Sequence, residues 1–149
     1  MKFLLRAISI TLLVYSSFSH ANPNPDVGEW VKQTLSDTLS IYFEQKQDNL
    51  APIRNNYSYD SWNALLGFLS NYIDTSRKQQ LIVHPYLKDE PIVVGQGLSS
   101  GIHFWRVNQA VVLPELKIEL FFSIIVLLRS ADSEEPYVIQ SMDIIKSDY

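Results

Sequence analysis

Outside the first 21 residues, which contain His20, two histidines remain as candidates for acid–base chemistry, His84 and His103. They fall in different predicted strands, with neither a His-x-x-x-His nor a His-Glu-x-x-His spacing. A metal centre needs three or four thiolate, imidazole or carboxylate ligands. The chain has no cysteine, which excludes disulfides, thiolate zinc and a cysteine nucleophile. No metal ligand set and no cofactor site can be assembled. Ser99-Ser100 followed by His103 offers a nucleophile near a base, but Ser-Ser-Gly reads first as a turn. The Gly-x-Ser-x-Gly elbow that would expose a serine nucleophile is missing. Asp89-Glu90 and Glu134-Glu135 each adjoin a proline, and no alternating carboxylates surround them. They read as solvated turns rather than calcium loops or catalytic acid pairs. Gly95-x-Gly97-x-x-x-Gly101 lacks the Gly-Lys-Ser/Thr ending of a phosphate loop, and no helix follows it. Its glycines suit a bent strand and its turn. The expectation is a protein that is not an enzyme.

With 149 residues the chain has one domain's worth of mass. Its apolar content of 46% excludes a disordered chain. The net charge is −4, with the charges scattered, so the basic face that nucleic-acid binding requires is missing.

The N-terminus has the layout of a secretory signal peptide. Lys2 and Arg6 precede an apolar stretch from Ala7, and Ser19 and Ala21 stand at the −3 and −1 positions of a small-x-small cleavage site. The apolar stretch ends by Phe18, well short of the roughly 20 residues that span a bilayer. The expected organisation is a leader at residues 1–21, a cut between Ala21 and Asn22, and a single domain over 22–149. That places it in the periplasm or outside the cell, with no transmembrane anchor after cleavage.

Asn24-Pro25-Asp26 reads as a helix start, with Asn24 as cap and Asp26 in the first turn. Trp30, Val31, Leu35, Leu39, Tyr42 and Phe43 then recur at helical spacing, predicting a helix from about Pro25 to Gln47. Pro52 ends it or closes the loop behind it. Ser58 is a good cap for a second helix, with Asp60 in its first turn. Trp62, Leu65, Leu66, Leu69, Tyr72 and Ile73 form its apolar stripe, and Asp74 to Lys78 breaks the pattern. Five strand-like runs follow: Leu81–His84, Pro91–Leu98, Ile102–Leu113, Lys117–Arg129 and Tyr137–Ile145. Helices followed by meandering strands predict an α+β domain with an antiparallel sheet. The run Leu120–Leu128 is too short to span a membrane and is expected to be a central strand buried on both faces. Trp30 and Trp62 fall on the helical stripes, and Trp105 shares a strand face with Val107, opposite Phe104 and Arg106. Core packing is the expected role of all three tryptophans.

Two stretches together resemble the DotI/IcmL family of type IVB secretion systems, related to the TraM conjugation proteins. Ser58, Asp60 and Trp62 match its aromatic-Thr-x-acid-Gly-Trp helix start. Gly97, Gly101, Trp105, Arg106 and Val107 match its Gly-x-x-x-Gly-x-x-x-Trp-Arg-Val hairpin. Arg129 and Gln140 fall where that family has an Arg after its long strand and a Gln in its last. The pattern departs at Ile41-Tyr42-Phe43, Ser61 and Ala110, and most of all in having a short leader where the family carries a cytoplasmic segment and a membrane helix. The resemblance implies N-terminal helices packed on a curved antiparallel sheet, the cone of the nuclear-transport-factor-two-like (cystatin-like) type. It implies a non-enzymatic accessory or paralogue of a type IVB secretion or conjugation apparatus. Such a protein acts through contacts with protein partners, such as the periplasmic components of that system. The alternative is a small-molecule-binding module in the concave pocket of the same fold, or, third, an enzyme in that pocket.

Overall fold

The computed structural model describes residues 26–44 and 50–148. The leader, its cleavage site and the outer ends predicted for the first helix lie outside the described residues.

Helix α1 runs from Val27 to Glu44. Its cap is Asp26, whose Oδ1 accepts the Glu29 amide at 3.0 Å. The sequence placed Asp26 inside the first turn. A shift of two residues turns its carboxylate from a dipole partner into the acceptor for an otherwise unpaired N–H. A short helix α2, Ala51–Arg54, was not expected. Pro52 lies in its first turn, where the missing N–H costs nothing, so the proline starts a helix rather than closing a loop. Helix α3, Tyr59–Lys78, begins as predicted, with Ser58 as cap in extended conformation. It does not stop at Asp74. Thr75 and Ser76 return their hydroxyls to the carbonyls of Asn71 and Tyr72, at 2.8 and 2.7 Å. Arg77 and Lys78 then meet the negative end of the helix dipole.

Strands β1 (Tyr86–Leu87), β2 (Ile92–Ser99), β3 (Ile102–Leu113), β4 (Ile118–Leu128) and β5 (Tyr137–Asp148) form one antiparallel sheet. β4 pairs with β3 on one side and β5 on the other, while β1 and β2 share the remaining edge of β3. The predicted strand Leu81–His84 is not formed. Its Leu81 amide bonds back to the Ser76 carbonyl at 2.9 Å and its His84 amide to the Glu115 carboxylate at 3.1 Å, and Pro85 has no donor to give. Pairing starts only at Tyr86.

Along β3 and β4 alternate residues are sealed. Val107, Val111, Leu113, Leu120, Phe122, Ile124 and Val126 are buried against Val31, Leu35 and Leu39 of α1 and Leu65 and Leu69 of α3. The helices therefore cover one face of the sheet. β4 is central, as expected, but it is not buried on both faces: Phe121 is exposed, and Ser123, Ile125 and Leu127 are only partly covered. The reason is that the described helices form a single layer, so alternate side chains of the strand have nothing packed over them.

Candidate functional site

The residues that carried the resemblance divide between two places. At the start of α3, Ser58 Oγ accepts the Ser61 amide at 3.2 Å and donates to the Gln140 carbonyl at 2.8 Å. Ser61 Oγ donates to the Ile139 carbonyl at 2.8 Å, and the Ser58 amide donates to that same carbonyl, also at 2.8 Å. The ladder makes these carbonyls available. Val126 pairs with Ile139 and Ile125 with Ser141, so Gln140 is the extra residue of a β-bulge. Tyr57 forms a parallel bridge to Ile139, so the segment before α3 is clamped along β5. Trp62, one turn on, is buried between the rings of Tyr57 and Tyr42, with centroids 5.3 and 6.0 Å away. Asp60 is exposed in the first turn. Burial pushes the Tyr57 phenol well above its ordinary range, and its hydroxyl is held by Thr38 Oγ1 at 2.7 Å. This end of the molecule is an anchor.

The hairpin between β2 and β3 holds the rest. Gly101 turns it with φ of +77°, a conformation that disfavours any side chain. Gly97 faces Phe104 across the ladder, and a Cβ there would meet the Phe104 ring at 3.1 Å. Val107 is fully buried, whereas Trp105 is half-buried. Trp105 stacks on His103 with centroids 4.4 Å apart and meets Tyr137 edge-on at 5.4 Å. His103 Nε2 is buried without a hydrogen-bond partner. Arg106 is exposed on the opposite face. Ser99, Ser100 and His103 do not assemble into a nucleophile and base, because Leu98 pairs with His103 while Ser99 pairs with Ile102 on the other face.

His84 lies elsewhere, exposed, with Nδ1 2.9 Å from Glu115 Oε1. Partial burial pushes the Glu115 carboxyl up, but the bonds from the His84 ring and amide outweigh it and hold the group below its ordinary value. Glu90 pairs with Lys32 at 2.9 Å, tying α1 to the turn before β2, and Glu135 approaches the Trp30 indole nitrogen at 3.4 Å. Among the described residues no three His, Asp or Glu side chains converge on a point that could hold a metal ion.

The feature that sequence reasoning missed is the sheet face turned away from the helices. Two rows cross it in register. Ile92, Asn108, Ser123 and Asp143 form one, and Ala110, Phe121 and Ile145 the next. Ile92, Phe121 and Ile145 are 62%, 44% and 66% exposed. Together with Asp89 and Glu90 these rows line a groove of about 370 Å³. A second groove of about 440 Å³ follows on the same face, floored by Ile102, Phe104, Ile125 and Leu127. A sheet face open to water normally carries polar residues. Here alternate residues of β4 read Glu119, Phe121, Ser123, Ile125, Leu127, and Glu119 is buried under Lys88 at 2.9 Å. The signal was present in the sequence as Arg106, Asn108, Ser123 and Asp143, polar residues that share this face with the apolar ones.

No family model matches the sequence, and no curated protein matches it. Among solved structures, the periplasmic domain of DotI superimposes over 85% of this chain and 98% of its own length, with a TM-score of 0.66 at 18% identity. This chain has the fold of the DotI periplasmic domain. An IcmL-like type IV secretion system protein from Legionella pneumophila matches over 85% of the chain and 96% of its own, with a TM-score of 0.51 at 13% identity. The DotI-like fold agrees with the α+β architecture expected from the resemblance. Among the described residues no helix is long and apolar enough to cross a membrane.

Proposed function

We propose that this chain is an exported, non-enzymatic DotI/IcmL-like protein that serves a type IVB secretion or conjugation apparatus through protein contacts. The observation that carries this reading is the uncovered apolar face of the sheet. Contiguous exposed apolar surface of this kind marks a site of association. The helix-facing side offers less room. Leu35, Leu69, Val107, Leu120 and Ile124 are all fully buried there. This packing favours contacts on the outer face over a small molecule held between helices and sheet. The signal-peptide layout supports delivery across the inner membrane with cleavage after Ala21. A domain released in this way is retained at a membrane machine only by binding, and a stable contact buries about 1,200–2,000 Å².

The test is affinity capture of tagged protein from a strain that encodes such an apparatus, with and without its core complex, followed by secretion assays in a deletion strain. Mature protein beginning at Asn22 and capture that depends on the core complex are expected. No capture together with normal secretion would reject the secretion role.

A further inference from the structure

The groove over Phe121 differs from the rest of the outer face in its charge. Its lining includes three acidic residues, Asp89, Glu90 and Asp143, and no basic one. Glu90 is engaged by Lys32. The carboxylates of Asp89 and Asp143 make no hydrogen bond or ion pair among the described residues. The groove thus presents an apolar floor of Ile92, Phe121 and Ile145 with unmatched acceptors around it. Asp143 lies on β5, and Asp89 lies beyond the far edge of β3. The two carboxylates are therefore separated by three strand spacings, about 14 Å.

We infer that this groove takes a polypeptide segment of a partner protein in which apolar side chains are flanked by lysine or arginine. Apolar side chains would cover Phe121 and Ile145, and the cations would reach Asp89 and Asp143. An acidic or uncharged apolar segment would leave both carboxylates desolvated without a partner, which is costly. Three extended residues between two lysines put the lysine Cα atoms about 13 Å apart and on the same side of the segment, which matches the carboxylate separation. This inference deepens the proposed function by naming the chemistry of the partner, and it rests on that reading for the partner's source.

The probe is a fluorescein-labelled peptide of three leucines flanked by two lysines, followed by anisotropy against the mature protein. The controls replace the lysines by glutamates or the leucines by serines. The lysine–leucine peptide is expected to bind at least tenfold tighter than either control, with an affinity that falls as salt is raised. The Asp89→Asn, Asp143→Asn double variant is expected to lose that preference while keeping its melting temperature. Amide shift mapping should place the peptide on β4 and β5 around Phe121. Equal binding of the glutamate peptide, a map on another face, or an unaffected double variant would overturn the inference. So would a dimer that Phe121→Ser dissolves, because the occupant would then be a second copy. Core-complex capture unaffected by the double variant would overturn the inference and leave the secretion role standing. Selective peptide binding without capture would do the reverse.

Discussion

Replacing Ser58 by alanine tests whether the start of α3 is anchored to the sheet or merely capped. Alanine removes the acceptor for the Ser61 amide, an N-cap loss of about 1 kcal/mol. It also removes the donor to the Gln140 carbonyl, which adds about 1 kcal/mol for a lost bond between helix and strand. The expected cost is about 2 kcal/mol, or a melting temperature lower by roughly 6–8 °C for a domain of this size. Ser61→Ala removes the bond to the Ile139 carbonyl and is expected to cost about 1 kcal/mol, because the Ser58 amide still serves that oxygen. The two hydroxyls also lie 3.0 Å apart, so the double variant should cost less than the sum of the singles by about 0.5 kcal/mol or more. Urea unfolding of the four proteins supplies every term. Ser58→Thr should recover most of the loss, since threonine also caps. Strict additivity, or a Ser58→Ala loss below about 0.5 kcal/mol, would mean that the anchor carries no weight and that α3 is held by its apolar stripe alone.

Trp62→Ala should cost about 3–5 kcal/mol, as a buried aromatic truncation does, whereas half-buried Trp105→Ala should cost about 2 kcal/mol; thermal melts rank the two. Gly101→Ala should destabilise the fold by about 1 kcal/mol through its positive φ, measured the same way, with Gly67→Ala expected to be neutral or stabilising because it lies in a helix with open space around its Cα. Glu115 is held below its ordinary value of 4.5, so its contribution to stability is fully present above that pH and is lost as pH falls through its lower folded value. The stability difference between wild type and Glu115→Gln should therefore shrink as pH falls below about 4, a decline that urea midpoints across pH report directly.

Elements whose signal is local were legible in the sequence. Ser58 followed by an acid and a helical apolar stripe fixes where α3 begins. The turn residues Ser99-Ser100-Gly101 and Pro114 bound β3 at the residues where the strand starts and stops. What depended on neighbours was not legible. Leu81–His84 has strand-like residues, but it pairs with no strand among the described residues. Asp74–Lys78 looks polar enough to end a helix, yet its hydroxyls bond back into the helix and prolong it. The resemblance of Ser58, Trp62, Gly97, Gly101 and Val107 reported scaffold, since these residues cap a helix, make room for a ring, turn the hairpin or fill the core. The candidate site was misread for a related reason. A continuous apolar run such as Leu120–Leu128 does not reveal how many layers cover it, because a strand sealed on both faces and one left open on one face can share the same composition.

The open face bears on function because stability alone does not demand its composition. The core is complete on the helix side, where alternate residues of β3, β4 and β5 meet α1 and α3. Phe121, Ile145 and Ile92 add little to that core, since each keeps more than two-fifths of its surface in water. An uncovered sheet with apolar side chains also carries a risk of aggregation. The edge strand β2 compounds that risk, having no charged residue between Ile92 and Ser99. Its irregular register between Val93 and Gly95 is the kind of bulge that discourages indiscriminate pairing along an edge. The outer face itself has polar interruptions at Arg106, Asn108, Ser123 and Asp143, which divide it into two grooves rather than one greasy sheet. Apolar patches bounded by polar groups and set on a rigid antiparallel scaffold are what a selective docking surface requires. In the proposed contact the apolar floor would supply affinity, and the carboxylates of Asp89 and Asp143 would reject the wrong partner.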